Sequence, residues 1–402
     1  MNQKLFYLAS SAVVVVFASF LGSFVGPLTK IISSSLGFAE LVGTLDAIQS
    51  LAYLVGASIF SIIVFRSVYG FPLVFSSSIL LLVAILAINR EGGSIVFLSL
   101  AGFYLVFSLF LSPILAILPL LYRDLGRKLW HGLTIGNILS YSFAGAAYVA
   151  SGYVFRYFSY WGLVLAVSFT IPLLFSLLSW EKASRGQEED VREAVRRKYV
   201  LKGALEIHTL AVKIIAPYLL LSTTYSMLRP YLLIIPAELG FGSYEATASV
   251  IGLSSLVATV FITPVASRFA DLYVFRSFIA YVSGFVLALV VLCLSIRWAS
   301  FSLYSIGLVV LIIVSLLVSI IYQVVPLRVC RDDRACSSRV FNALTLYGRL
   351  VSGVILPMLS SYILSVLGFS FISSLAFWVT SIVVILSLPS IYLFRRIVGI
   401  VG

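Results

Sequence analysis

Four charged side chains lie inside long apolar runs of this sequence, Asp46, Lys213, Arg229 and Arg349, and each needs a chemical reason to be there. Insertion scales put the cost of one charge at a bilayer centre at about 2.5 to 3.5 kcal/mol, so a charge that persists there is paired, snorkels to an interface or holds a ligand. Asp46 is the one carboxylate well inside such a run, which makes it the leading candidate to carry a proton. Asp46 and Arg229 both fall about seven residues outward of the centres of their runs, roughly 10 Å at helical rise, and equal depth permits a salt bridge that opens and closes as a gate. Arg349 lies about three residues from the middle of its run at helical rise and is the deepest charge of the four. With no intramembrane carboxylate left for it, it must reach backbone carbonyls, a loop acid such as Asp332 or Asp333, or a bound anion. Its planar fork suits carboxylate or phosphate, so an anionic organic solute anchored on Arg349 is one expectation. Lys213 lies a turn inside the end of its run and is expected to snorkel.

Polar stripes accompany these charges. Tyr104, Ser108 and Ser112 recur at a spacing of four, as do Ser315, Ser319 and Gln323, and residues four apart share a helix face. Ser19 and Ser23 form a similar pair, matched by Ser222 and Ser226 with Thr223, Thr224 and Tyr225 alongside. Hydroxyls and an amide can replace part of a solute's hydration shell without burying a charge. The alternative is that these hydroxyls bond their own backbone or pack between helices. Metal chemistry is not expected: His131 and His208 stand alone, and Cys293, Cys330 and Cys336 make neither a zinc set nor a disulfide framework. No Gly-rich, Lys-terminated phosphate loop occurs, so neither ATP drive nor any cofactor is expected, and a lipid-modifying enzyme would lack its acid or histidine cluster.

The elements that must position these residues are membrane helices. Of 402 residues 61% are hydrophobic and 10% charged, where soluble domains carry about a quarter charged. Twelve apolar runs emerge, near 5–28, 41–65, 71–88, 94–121, 132–155 and 161–180, then 210–235, 244–266, 278–296, 299–327, 340–364 and 371–394. The first is long enough to cross and lacks a small-residue cleavage site, so it is expected to be retained. Alternating the connections between two sides collects twenty Lys and Arg on one, including Arg66, Arg123, Arg127, Lys128, Arg268, Arg276, Arg395, Arg396 and seven between 182 and 202. Lys30, Arg90, Arg156 and Arg297 are the four on the other. That bias predicts a multi-pass protein of the cell membrane with both termini cytoplasmic, and it accounts for the net charge of +12 without nucleic acid.

The long polar stretch Glu181 to His208 divides the runs into two sets of six, and the two sets echo each other. Val64-Phe65-Arg66-Ser67 recurs as Val274-Phe275-Arg276-Ser277. Ser19, Ser23, Pro27 and Leu36-Gly37-Phe38 recur at one offset as Ser222, Ser226, Pro230 and Leu239-Gly240-Phe241, and Leu133-Thr134 recurs as Leu344-Thr345. Repeated halves are a common construction of transporter folds. A ridge of Gly132, Gly136, Ser140 and Ala144 on the fifth run is expected to let that helix approach a neighbour across the contact between halves.

With this layout the chain resembles the major facilitator superfamily over essentially its whole length. The stretch from Ser267 to Arg276 is similar to that family's loop signature between the second and third helices of a half, with Ser267, Asp271 and Arg276 in the positions of its small residue, acid and base. Arg123-Asp124-Leu125-Gly126-Arg127-Lys128 is also similar to the family's basic approach to a fifth helix. The resemblance implies an all-α membrane protein of twelve helices in two pseudo-symmetric six-helix bundles, 1–180 and 209–402, joined by a cytoplasmic linker, 181–208. It implies a monomeric secondary transporter that moves a small organic solute by alternating access, with protons as a candidate coupling ion. Tyr104, Ser108, Ser112, Ser222, Ser226, Ser315, Ser319, Gln323 and Arg349 would face the solute, and Asp46, Arg229, Asp271 and Arg276 would gate or couple. The alternatives are a transporter-like sensor that does not transport and a drug/proton efflux pump.

Overall fold

The computed structural model describes residues 3–64, 96–109, 111, 129–170, 172, 173, 176, 201–329, 340, 343, 344 and 346–401. All regular structure among them is helical. The principal helices are α1 (Gln3–Ser35), α2 (Val42–Val64), α3 (Val96–Leu109), α4 (Leu129–Phe158), α5 (Gly162–Ser168), α6 (Leu201–Tyr225), α7 (Tyr244–Leu272), α8 (Val274–Arg297), α9 (Phe301–Val329), α10 (Leu356–Leu367) and α11 (Ile372–Val401). In hydrocarbon every backbone polar group must be satisfied within its own segment, which is why apolar runs of this length become helices. Among the described residues, seven helical stretches are long and apolar enough to cross a membrane. The third run, near 71–88, lies outside the described residues, as does most of the linker.

Many large apolar side chains among the described residues are exposed. On α7, Leu253, Val257, Phe261 and Val265 are 55%, 59%, 71% and 68% exposed, a stripe at helical spacing that water would not tolerate and lipid would. The protein is a multi-pass membrane protein. Buried apolar residues gather in two clusters, one drawn from residues 14–173 and one from 211–394, to which Ile31, Ala39 and Val42 are added.

The repeated Leu-Gly-Phe has the same local structure both times. Gly37 and Gly240 adopt φ of +83° and +76°, which a side chain would strain. The Gly37 N–H donates to the Ser34 carbonyl at 2.9 Å and the Phe38 N–H to Ser33 at 3.0 Å. In the second copy Gly240 donates to Ala237 at 3.2 Å and Phe241 to Pro236 at 2.9 Å. Both are Schellman terminations, in which a left-handed glycine lets the chain turn back over the last carbonyls.

Without a hydrophobic drive between helices in lipid, close approach relies on small residues. α4 packs on α1 to one side and α7 to the other. At the α4–α7 crossing a Cβ on Gly145 would lie 2.6 Å from the Gly252 carbonyl oxygen, so the two backbones touch. The expected ridge is therefore displaced by one residue. Ser140 faces α1, where its hydroxyl lies 2.8 Å from that of Ser19, and Gly145 and Gly152 are the residues that meet α7. A one-residue step rotates the contact face by about 100°, enough to exchange one neighbour for another.

The face of the bundle opposite Arg268, Arg276, Arg395 and Arg396 is tightly closed. The Thr44 N–H donates to Ser361 Oγ at 2.8 Å, and Tyr231 Oη lies 3.0 Å from the same oxygen and 3.1 Å from the Glu40 carbonyl. Gly43 permits this: a Cβ there would meet Ser361 at 2.6 Å and Tyr231 at 2.7 Å. Nearby, Ser34 and Tyr244 both donate to Glu238 Oε1, the latter at 2.5 Å.

Candidate functional site

The centre of the site is an ion cluster. Lys30 Nζ of α1 lies 2.7 Å from Asp46 Oδ1 of α2, and Arg229 approaches Oδ2 of the same carboxylate at 3.8 Å. The Asp46 side chain is 5% exposed and that of Arg229 44%, so the acid is enclosed while one of its cations reaches open space. The expected pairing of Asp46 with Arg229 is present, and Lys30 joins it. Sequence reading placed Lys30 in a connection because hydropathy falls at a lysine; α1 instead continues to Ser35. A partner acid lowers the cost of carrying that charge into the helix. The signal was available in the spacing, since Ser19, Ser23, Pro27 and Lys30 follow one face of α1.

Arg229 is set by a helix break. Pro230 has no N–H to donate to the Ser226 carbonyl, and its ring disfavours continuation. α6 ends at Tyr225, the chain tightens through Leu228 N–H to the Tyr225 carbonyl at 2.9 Å, and Arg229–Tyr231 forms a single 3-10 turn. The equivalent Pro27 lies inside α1, which runs on, so one proline of the repeat breaks its helix and the other does not.

These residues border a cleft of about 580 Å³ including its mouth. Lys30 comes from α1, Tyr148 from α4, Tyr225 from α6, Arg229 and Pro230 from the turn after it, and Ser315 from α9. Of the expected solute-facing residues, Ser315 lines this cleft. Ser319 and Gln323, one and two turns further along α9, are engaged with α4. Tyr141 Oη donates to Ser319 Oγ at 2.8 Å. The Asn137 amide donates to Gln323 Oε1 at 2.8 Å, and Gln323 returns a bond to Asn137 Oδ1 at 3.2 Å. Two side-chain pairs thus bridge α4 and α9. Combined Asn137→Ala and Gln323→Ala changes are expected to show a coupling of about 0.6 to 1.7 kcal/mol in a thermal-unfolding double-mutant cycle. Additive effects would mean the amides do not hold the helices together.

Tyr104 and Ser108 on α3 and Ser222 on α6 are buried, and their hydroxyls have no hydrogen-bond partner among the described residues. Tyr104 is within electrostatic reach of Asp46 and Arg229. Ser226 donates to the Ser222 carbonyl at 2.6 Å and so serves its own backbone. Ser112 and the side chain of Asp271 lie outside the described residues. Arg276 is exposed, its guanidinium 5.3 Å from the centre of the Tyr273 ring, and Lys213 is also exposed.

Arg349 does not border the cleft. It stands at the start of a π-helical turn, Leu350–Ile355, with its guanidinium 4.2 Å from the centre of the Tyr53 ring. Gly353 in that turn meets α2 closely, since a Cβ there would come within 2.9 Å of Ser50 Cβ. A cation over an aromatic face keeps part of its stabilisation without a counter-ion. Among the described residues no carboxylate lies within ion-pairing distance of Arg349. Among the described residues, three cations, Lys30, Arg229 and Arg349, less one acid, Asp46, leave this cluster at +2.

No family model matches the chain, and no curated protein matches it. Solved structures do. The nucleoside transporter NupG has a TM-score of 0.68 and 13% identity over 98% of this chain and 100% of its own. A POT family transporter in complex with a thioalcohol conjugated peptide has 0.65 and 12% over 97% and 96%. Another, in complex with 5-aminolevulinic acid, has 0.64 and 12% over 97% and 96%. The chain has the fold of these transporters. The major facilitator resemblance read from the sequence is borne out at the level of the fold, and at such low identity the solute must be argued from this chain's own residues.

Proposed function

We propose that the protein is a secondary transporter that carries a small organic anion across the cell membrane by alternating access. The observation that supports the anion is the charge balance of the cluster: Asp46 is already shared by Lys30 and Arg229, and Arg349 has a tyrosine face in place of an acid. A bound anion would offset the excess, and the long 3.8 Å approach of Arg229 to Asp46 leaves its guanidinium available for a carboxylate or phosphate. A neighbour of the same fold holds 5-aminolevulinic acid, which is compatible with this reading. In it, 1–180 and 209–402 rock as two six-helix halves about the cleft, 181–208 links them in the cytoplasm, and both termini are cytoplasmic, as the twenty-to-four bias of basic residues favours. Solute binding belongs to Lys30, Arg229 and Ser315, with Tyr104, Ser108 and Ser222 as unpartnered hydroxyls nearby.

The test is a thermal-stability screen of the purified protein against carboxylates, organic phosphates, sugars, nucleosides and hydrophobic cations. A ligand at about a hundred times its Kd stabilises by roughly 2.7 kcal/mol. Stabilisation by anions alone is expected; stabilisation by neutral or cationic compounds alone would remove the anion from the reading. Asp46 is the proposed coupling residue, because an anion that takes Arg229 changes how the carboxylate is shared. Asp46→Asn is expected to abolish uptake driven by an imposed pH gradient while solute exchange without a gradient persists, both measured in proteoliposomes. Unchanged proton dependence would leave Asp46 a structural partner of Lys30.

A further inference from the structure

We infer that the solute is a monoanion with an apolar body, a short aliphatic, cyclic or aromatic carboxylate, and not a polyhydroxylated or doubly charged one. The inference rests on the anion reading above and narrows it.

Charge sets the valence. Of the three cations in the region, Lys30 and Arg229 border the cleft, and Asp46 neutralises one of them, which leaves one positive charge on the lining itself. Arg349 stays off the cleft on Tyr53. One carboxylate brings the balance to zero, whereas a dianion would leave an uncompensated charge away from water.

The remaining walls set the body. Leu232, Leu233, Ile251, Leu308, Leu311 and Ile312 form the aliphatic part of the lining, beside the Ser315 hydroxyl and the side chains of Tyr148 and Tyr225. The amides of Asn137 and Gln323, groups suited to a sugar or polyol, are spent on each other at 2.8 and 3.2 Å, and Ser319 is held by Tyr141 at 2.8 Å. A polyhydroxylated solute would give up water at several hydroxyls and find on the lining only the hydroxyls of Ser315, Tyr148 and Tyr225 in return. A hydrocarbon chain or ring loses nothing on this wall and gains by leaving water. The space enclosed behind the mouth is about 150 Å³, which restricts the solute to a small one.

The experiment is a thermal-stability titration of the purified full chain at constant ionic strength. Its probes are butyrate, pentanoate, hexanoate, benzoate, gluconate, glycerol 3-phosphate and benzamide. Kd is expected to fall about fourfold per added methylene from butyrate to hexanoate. Benzoate should bind at least about tenfold more tightly than gluconate, and benzamide should be silent. Arg229→Gln should abolish the hexanoate response, which separates the cleft from acids adsorbing to detergent. Ile312→Asn should flatten the chain-length series; if that variant does not fold, the series on the unmodified chain decides. Gluconate binding as tightly as hexanoate, with benzamide silent, would overturn the apolar body and leave the anion reading standing. Tighter binding of glycerol 3-phosphate than of hexanoate would overturn the monoanion. Benzamide binding as well as benzoate, or no response to any probe, would overturn both readings.

Discussion

Replacing Arg229 by Gln is expected to remove anion-dependent stabilisation and anion uptake while leaving the fold intact. The two consequences separate because Asp46 keeps Lys30 at 2.7 Å, so loss of the more distant guanidinium at 3.8 Å strands no buried carboxylate. Truncating one member of a desolvated, hydrogen-bonded charge pair costs about 2 to 5 kcal/mol of binding, a factor of roughly thirty to several thousand in Kd. Arg229→Lys should recover part of this, since the charge returns without the planar fork. Arg349→Gln should do less than Arg229→Gln, because Arg349 acts on the cleft through its field, from its position over Tyr53. Titration of a stabilising carboxylate against the three variants, with uptake into proteoliposomes, measures the order. If Arg229→Gln bound anions as well as the unmodified protein while Arg349→Gln did not, the anchor would be Arg349 and the cleft would have been misassigned.

Gly145→Val should abolish transport by preventing the α4–α7 face from closing. A Cβ at this position would sit 2.6 Å from the Gly252 carbonyl oxygen, and a backbone atom cannot swing aside as a side chain can. Overpacking typically costs about 1 to 3 kcal/mol. Here that cost falls only on the state in which this face is shut, so the equilibrium shifts toward states in which it is open. Ala248 is fully buried in that contact, where a Cβ on Gly152 would come within 3.0 Å of it. In a background with Cys293, Cys330 and Cys336 replaced by Ser, Ala248→Cys should resist a membrane-impermeant maleimide, and adding Gly145→Val should make it react. Uptake should fall by more than tenfold, as about 1.4 kcal/mol of population shift implies. An Ala248→Cys that still resists the reagent after Gly145→Val is added, or transport at the original rate with it, would mean that α4 and α7 do not part during the cycle.

The two predictions draw on different information. That an acid and an arginine at equal depth could pair was legible in the sequence, because depth follows from counting residues along a helix of fixed rise. That Lys30 would be their third member was obscured by hydropathy, which treats every lysine as a break whatever its partner. The repeated Leu-Gly-Phe marked two equivalent turns, and both copies end a helix in the same way through a left-handed glycine. The glycine crossing was foreseen in kind and missed in place: the ridge from Gly132 to Ala144 is real as a pattern, yet the contact with α7 uses Gly145 and Gly152. Small residues announce that a helix can be approached closely, and which face is approached depends on the rotation of that helix in the bundle.

The sequence by itself determined that this is a helical membrane protein with a few costly charges left inside its apolar runs. Those conclusions follow from local quantities, the length of apolar runs and the energy of moving a charge into hydrocarbon. Tertiary structure decided which of the buried cations reaches a cleft. Arg229 and Arg349 differ in depth along their runs, but depth does not say which borders a cleft; one lies at a proline break beside open space, the other beside a π turn with its guanidinium over Tyr53. It likewise decided that Ser315 faces the cleft while Ser319 and Gln323 are spent on α4. Such choices depend on what a neighbouring helix presents at the same height, and helix spacing along one chain carries no record of the partner across the gap.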